Sequence, residues 1–100
     1  MTMFDEYSDL FSSKVRLRII AALISGPKDF TTLKKLTETT DGNLGKQMEI
    51  LLEAGAVHAE KEFIGRRGKT VYSLTNEGLH SFKEYVRLLE EILEKEGTKE

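Results

Sequence analysis

Apolar residues recur at helical spacing through the first quarter of the chain. Four of them lie within residues 1–11 and predict a short amphipathic helix or arm: Met3, Tyr7, Leu10 and Phe11. After Ser12 and Ser13, either of which can cap a helix, six more predict a first core helix: Val15, Ile19, Ile20, Ala22, Leu23 and Ile24. The segment Ser25-Gly26-Pro27 is expected to end this helix, because glycine can close a helix C-terminus and proline cannot continue one.

Two shorter helices are predicted next, joined by a tight turn. The first begins near Thr31 or Thr32, and the second follows the segment 39–42, Thr-Thr-Asp-Gly, which supplies a turn and a new N-cap. Their apolar positions are Leu33, Leu36, Leu44, Met48 and Leu51. The second of them is expected to close at Ala54-Gly55, and the pair has the dimensions of a helix-turn-helix.

From residue 56 the apolar period changes from that of a helix to that of a strand. Residues 56–64 and 70–74 are separated by the five residues 65–69, which predicts an antiparallel β-hairpin. Thr75 is a suitable N-cap for a last helix. That helix carries two apolar stripes, one of Leu79, Phe82, Val86, Leu89 and Leu93 and the other of Tyr85, Leu88 and Ile92. Their combined surface is wider than one small domain covers, so we expect part of it to contact a partner.

The composition excludes several classes of function. With 100 residues, the chain is long enough for one modest core and too short for a second. It has no cysteine and two well-separated histidines, His58 and His80, so we expect no disulfide, no metal site and no cofactor. It contains no phosphate-binding loop, dinucleotide fingerprint or paired nucleophile and base, and we predict that it is not an enzyme. No apolar run approaches the roughly 18 residues of a membrane span, and the N-terminus lacks the features of a secretory signal, so we expect a cytoplasmic location without a membrane partner.

The excess of acidic over basic residues lies in the C-terminal segment of the chain. The formal net charge is −2, but residues 76–100 carry seven acids and four bases, whereas residues 1–75 carry ten acids and eleven bases. The near-neutral part contains local basic clusters, among them Arg66, Arg67 and Lys69. This balance is weaker than the strongly basic face of many nucleic-acid-binding proteins, which counts against such a partner.

The predicted order of elements is helix, helix, helix, strand, turn, strand, helix. Over roughly Val15 to Ile92 the chain resembles the small winged helix-turn-helix transcriptional regulators related to the MarR and ArsR groups. The motifs that carry the resemblance are DGNL at 41–44, EAGAV at 53–57, GRRGKTVYSLT at 65–75 and the NEG that follows. The resemblance implies an α+β, mainly α fold: a winged helix-turn-helix with a three-helix core, a β-hairpin wing and a C-terminal dimerisation helix. It also implies a homodimer bound to double-stranded DNA, with the third core helix in the major groove and the wing at the minor groove.

On this resemblance the chain divides into an N-terminal arm or short helix at 1–11, the DNA-binding domain at 12–75, the dimerisation helix at 76–96 and a tail at 97–100. Three glycine or amide positions depart from the family pattern. Gly45 and Gln47 stand where similar proteins often carry a hydroxyl and a basic or histidine side chain, and Gly68 stands where proline is common. These departures bear on base readout and not on the fold. Related regulators often bind small molecules, so an effector of unknown identity is a further expected partner.

The residue types of the third core helix and of the wing agree with DNA contact. With its apolar face turned inward, this helix points Lys46 outward, and Asn or Gln can pair with adenine edges while Lys can contact guanine or phosphate. Arginine at the tip of a hairpin can enter a narrow minor groove. The candidate DNA contacts are Thr31, Thr32, Lys35, Thr40, Gly42, Asn43, Lys46, Gln47, Arg66, Arg67 and Lys69. A polar helix face, capping threonines and a solvated turn are the simpler alternatives for the same residues.

The last helix is predicted to form a dimer. The candidate interface residues are Tyr7, Phe11, Leu79, Phe82, Tyr85, Val86, Leu89, Ile92 and Leu93. Alternatively, residues 3–11 fold back and cover this helix within one chain, and both arrangements can hold together. The main functional prediction is a homodimeric DNA-binding transcriptional regulator, a repressor that occupies promoter DNA. A winged-helix module that docks protein without binding DNA is the alternative, because Glu49 and Glu53 add acidic charge to the third core helix.

Overall fold

The computed structural model describes residues 3–97, which form five helices and three strands. In chain order these are α1 (Met3–Phe11), α2 (Lys14–Ile24), β1 (Lys28–Asp29), α3 (Phe30–Thr37), α4 (Asp41–Glu53), β2 (Val57–Ile64), β3 (Arg67–Leu74) and α5 (Asn76–Gly97). The predicted winged helix-turn-helix with a C-terminal helix is confirmed. α5 continues through Gly97, the first residue of the predicted tail, while residues 1–2 of the predicted arm and 98–100 of the tail lie outside the described residues. No helix within residues 3–97 has an apolar stretch long enough to cross a membrane.

Serine and threonine hydroxyls set the starts of α2 and α4. Ser13 Oγ accepts a hydrogen bond from the backbone N–H of Arg16 at 3.3 Å, and Thr40 Oγ1 accepts one from the N–H of Asn43 at 3.1 Å. Three residues, 38–40, separate α3 from α4. The first of them, Glu38, closes α3 in the left-handed conformation with φ 52°, which costs a residue with a Cβ more than it costs glycine. The predicted tight turn and new cap are both present.

The start of α3 differs from the prediction. Asp29 Oδ1 accepts a hydrogen bond from the backbone N–H of Thr32 at 2.8 Å, so the helix begins at Phe30 and not near Thr31 or Thr32. Asp29 also belongs to β1, a two-residue strand that pairs antiparallel with β3. A strand of two residues has no period to detect, which is why the apolar pattern did not show it.

The sheet has the strand order β1-β3-β2, and its neighbouring strands are antiparallel. β2 and β3 pair as far as Ile64 opposite Arg67, which leaves Gly65 and Arg66 as a two-residue turn. Gly65 has φ 64°, a conformation that glycine adopts without a steric penalty. The prediction of a five-residue loop was therefore wrong: residues 67–69 belong to β3, because strands that project beyond the core stay paired through their backbones without apolar side chains.

Ten apolar side chains form the buried core of the described chain: Phe11, Ile19, Ile20, Leu23, Leu33, Leu44, Met48, Leu51, Ala56 and Val57. Most of them come from the helices, and the last two come from the entry to β2. The predicted inward face of α4 is confirmed, since its three apolar positions are almost completely buried. Ile24 and Leu36 differ from expectation, being 56% and 52% exposed.

α1 folds back onto α5. The Phe11 ring lies 5.4 Å from the ring of Phe82 and 5.5 Å from that of Tyr85, measured between ring centroids. Phe4 stacks on Tyr85 at 6.1 Å. Aromatic pairs at such distances stabilise a contact beyond the area that they bury. α1 therefore covers part of the apolar surface of α5 within the chain, and the rest of that surface faces outward.

Candidate nucleic-acid interface

The outward face of α4 is polar and accessible. Gly42, Lys46 and Glu49 are exposed, and Asn43 and Gln47 are half-buried beside them. The opposite face is held in the core by Leu44, Met48 and Leu51. Four of the candidate DNA contacts therefore share one side of the N-terminal half of α4, next to the exposed cap residue that precedes the helix.

The amides of Gln47 and Asn43 belong to a continuous chain of hydrogen bonds. A guanidinium N–H of Arg16 donates to Oε1 of Gln47. Gln47 Nε2 donates to Asn43 Oδ1 at 3.1 Å, and Asn43 Nδ2 donates to Thr39 Oγ1 at 2.9 Å. The two candidate base-reading side chains are thus oriented before any partner arrives.

Arg16 is a residue of this site that the sequence did not reveal. Its Nε donates to the carbonyl oxygen of Leu10 at 2.7 Å and its second terminal nitrogen donates to that of Asp9 at 3.1 Å, both in the last turn of α1. A cation there satisfies carbonyls that have no partner within the helix. Arg16 therefore joins α1, α2 and α4. Sequence spacing shows which residues are neighbours on one helix, but it does not show a hydrogen-bond partner 31 positions away.

The candidates on α3 are exposed at the surface. Thr31, Thr32 and Lys35 all face solvent. Lys34, beside them, lies 3.0 Å from Asp41, measured from Nζ to Oδ1, and so links α3 to the first turn of α4. An exposed pair of this kind contributes at most about 1 kcal/mol, so it guides the arrangement of the two helices more than it stabilises the fold.

Hydrogen bonding lowers the pKa of the Asp29 carboxyl at the start of α3. The side chain of Thr32 is the main cause and its backbone N–H the next, and the positive charges of Lys69 and Lys35 act in the same direction. This group therefore stays ionised to a lower pH than usual. The two lysines are close enough to affect it, so the structure brings a wing candidate and an α3 candidate into the same region.

The wing, defined here as β2, β3 and the turn between them, carries its three candidate cations in exposed positions. Arg66 occupies the turn, while Arg67 and Lys69 are two residues apart on β3 and so share one face of the hairpin. The sequence analysis placed all three in the five-residue connection at the tip of the hairpin. The strand gives two of them a fixed spacing and direction.

The wing also carries two apolar side chains that the sequence did not single out as exposed. Phe63 and Ile64 are each 69% exposed. Phe63 is paired with Gly68, and a Cβ on that glycine would lie 3.1 Å from Cε1 of the Phe63 ring. The glycine thus gives the aromatic ring room to lie across the neighbouring strand.

An exposed apolar stripe runs along α5. Val86 and Leu89 are each 36% exposed and Leu93 is 71% exposed. Ile24 at the end of α2 lies beside the start of this stripe, lining the same groove as Leu79 and Val86, and was not among the predicted interface residues. The stripe and Ile24 form one apolar surface across two helices.

The other candidate interface residues lie under or beside α1. Phe11 is fully buried inside the single chain, so it supports α5 from within and cannot face a partner without a rearrangement. Tyr7, Phe82 and Tyr85 are half-buried and pack against the core. Ile92, 46% exposed, lines a groove with Phe4 of α1. The alternative in which α1 covers part of α5 therefore holds in the single chain.

Sequence comparison finds a match to the winged helix DNA-binding domain family over residues 15–93. The chain is also similar to an uncharacterized protein of Methanocaldococcus jannaschii. The two are 38% identical over 78 residues, which span 77% of this chain and 85% of that protein.

Structural comparison finds the same fold in solved proteins. A transcriptional regulator homologue from Pyrococcus horikoshii OT3 superposes with a TM-score of 0.80 at 26% identity, over 95% of this chain and 97% of that one. A protein from Enterococcus faecalis V583 assigned to the MarR family of transcriptional regulators gives a TM-score of 0.76 at 21% identity, over 94% of this chain and 88% of that one. The fold assigned from the sequence motifs is thereby confirmed.

Proposed function

The chain belongs to the winged helix DNA-binding domain family, and from that premise we propose that it regulates transcription by binding duplex DNA as a homodimer. The matched family is a DNA-binding one and not an enzyme family. In this proposal α4 enters the major groove and the wing contacts the neighbouring minor groove. Occupation of promoter DNA by the dimer would make the protein a repressor.

The outward face of α4 is the observation that carries the proposal. Lys46 is exposed between the half-buried amides of Asn43 and Gln47, and the buried side of the helix holds this face in place. Side chains on the N-terminal half of a recognition helix do most of the base reading. The free N–H groups of the first turn also favour a phosphate there. Glu49 and Glu53 lie further along α4, beyond the part that would enter the groove.

The wing supports the same arrangement. Arg66 at the turn can reach a narrow minor groove, where the negative potential is enhanced. Arg67 and Lys69 on the adjoining strand, and Lys35 on α3, are exposed and can contact phosphates, which fix register and orientation.

The exposed stripe of α5 supports the homodimer. It joins Ile24 with Val86, Leu89 and Leu93, and an apolar surface of this kind on a small domain marks an interaction site. A two-fold axis through it would place the two α4 helices on one side of the DNA, where symmetric half-sites lie about 34 to 36 Å apart. The proposed operator is therefore an inverted repeat.

Salt dependence of binding to an operator-length duplex tests this function. Log K should fall linearly with log salt, with a slope of about −0.9 for each phosphate neutralised. If all five candidate cations of each chain contact phosphates, the dimer approaches a slope of about −9. A protein that shows no duplex binding even at low salt would contradict the proposal.

The second candidate function is binding to another protein, without binding to DNA. The exposed Phe63 and Ile64 on the wing favour it, because aromatic side chains are enriched at protein interfaces. A docking module should show little DNA binding at any salt, so the same titration separates the two candidates.

A further inference from the structure

We propose that Arg16 fixes the direction of the hydrogen bonds along the outward face of α4 and so determines which bases Gln47 and Asn43 select. The proposal rests on the proposed DNA binding. It makes Arg16 a positioning residue that acts through the two amides.

The direction of these hydrogen bonds follows from the chemistry of Arg16, the residue from which they begin. A guanidinium group has donors and no acceptor, so the Gln47 atom that faces Arg16 must be the carbonyl oxygen Oε1. The amide nitrogen of Gln47 then faces Asn43 and requires an acceptor, which is Oδ1. Asn43 is left to donate through Nδ2 to the hydroxyl of Thr39. One cation thereby sets the orientation of two amides.

The orientation decides what the two amides offer to a base. Each carbonyl oxygen uses one of its two lone pairs in the hydrogen-bond network and keeps the other, and each NH₂ group uses one proton and keeps one. A bidentate pair with adenine needs the oxygen to accept from N6 while the nitrogen donates to N7. Gln47 and Asn43 each keep one acceptor and one donor for such a pair, in an orientation that the network fixes. The expectation that these amides pair with adenine is therefore kept, and Arg16 would fix the orientation in which they do so.

Arg16 is held firmly enough to impose this order. It is half-buried, and two further donors are fixed by the carbonyl oxygens of Leu10 at 2.7 Å and Asp9 at 3.1 Å. Hydrogen bonds from a charged donor are stronger than neutral ones, so the guanidinium holds its position while the neutral amides adapt to it.

Arg16→Met is the test variant, and Arg18→Met is its matched control. Arg18 lies on the same helix and carries the same charge, but it donates to the Thr37 carbonyl at 3.1 Å and faces Glu38 at 3.8 Å, without contact to the α4 amides. Selection from a random duplex pool should give an adenine preference at the positions read by α4 for the wild type and for Arg18→Met. Arg16→Met should relax that preference at least fivefold. Arg16→Lys should be intermediate, because one ammonium cannot hold both the α1 carbonyls and Gln47.

A measurement without DNA checks the network itself. In the wild type, the side-chain NH₂ shifts of Gln47 should depart from those of an exposed glutamine, and its hydrogen-bonded proton should exchange more slowly with solvent. Arg16→Met should shift the Gln47 pair towards the values of an exposed glutamine and disturb the Asn43 pair, whereas Arg18→Met should leave both unchanged. Retention of the wild-type amide dispersion in the remaining backbone spectrum shows that the variants are folded.

The outcomes separate this inference from the proposed function. A wild type that selects a sequence, with Arg16→Met selecting the same bases at every position, overturns the inference and leaves DNA binding intact. Unaltered Gln47 and Asn43 amide signals in Arg16→Met also overturn it. A wild type that selects no sequence, despite the expected amide signals, overturns the proposed function and the base readout together.

Discussion

The backbone of Gly78 in α5 lies directly against the carbonyl of Ala56, so closely that a Cβ on residue 78 would stand 2.1 Å from that oxygen. Thr75 reinforces the contact. Its backbone N–H donates to the Ala56 carbonyl at 3.0 Å, and its Oγ1 accepts from the Gly78 N–H at 2.8 Å. The Thr75 hydroxyl also donates to the carbonyl of Gly55 at 2.7 Å. This junction fastens α5 to the end of α4 and to the base of the wing.

Gly78→Ala should therefore destabilise the protein by about 3 kcal/mol or more, because the added methyl group meets backbone and the backbone must shift. Urea unfolding followed by circular dichroism measures this loss. Gly45→Ala is the control: no atom from another part of the fold lies within 4 Å of the added Cβ, and replacing glycine inside a helix should stabilise the protein by roughly 0.5 to 1 kcal/mol. Equal midpoints for Gly78→Ala and the wild type would contradict the account of the junction.

The junction also shows what the sequence could predict. The motifs at 53–57 and after Thr75 were quoted as signs of the fold, and the structure shows that they meet in space, where Gly78 allows two backbones to touch. The helices were predictable because their apolar periods are long, as at Leu44, Met48 and Leu51 of α4. β1 was not predictable, because its two residues, which pair with β3, are too few to show an apolar period.

The candidate site was predictable by residue type but not by orientation. The sequence predicted Gln47 and Asn43 as base-reading amides, yet their direction depends on Arg16, which approaches from another helix. Long-range hydrogen bonds leave no local pattern. The length of the wing strands was missed for a related reason: Arg67 and Lys69 belong to a projecting strand that lacks the apolar alternation of a buried one.

Charged substitutions in the exposed stripe of α5 should prevent the proposed dimer from forming. Leu89→Lys combined with Leu93→Lys should convert the proposed dimer to a folded monomer, because two cations per chain would have to be desolvated in an apolar interface. Sedimentation velocity at several concentrations measures the change. His80→Lys on an exposed position of the same helix should leave assembly unaltered. A wild type that sediments as a monomer at all concentrations would remove the dimer from the proposal.

The wing makes a separate prediction. Arg66→Ala with Arg67→Ala should weaken duplex binding and reduce the magnitude of the salt slope by up to about 1.8 per chain, since each phosphate contact contributes about 0.9. The proposed dimer should remain intact, because both residues are on the wing and not on α5. Lys95→Ala, near the far end of α5, is the control and should leave the slope unchanged. Wild-type affinity in the double variant would show that the wing does not contact DNA.

The cap of α3 predicts an acid-dependent contribution to stability. The folded pKa of Asp29 is lowered by the hydrogen bonds from Thr32, so its contribution is fully present above the unfolded value of about 3.9 and is lost as pH falls through the folded value. Asp29→Asn keeps a capping oxygen but does not titrate, so its stability should change less between pH 5 and pH 3. Urea midpoints across this range test the point. Parallel pH profiles for the two proteins would show that Asp29 does not contribute.

Binding of the wild-type protein to the DNA upstream of its own gene tests the proposed function most directly. A fluorescence titration against that duplex and a scrambled duplex of the same composition, each at two salt concentrations, separates sequence preference from general attraction to phosphate. We expect tight, salt-sensitive binding that favours the upstream sequence, with two chains per duplex. Weak binding that is equal for the two duplexes would contradict a sequence-specific regulator and favour the protein-docking function.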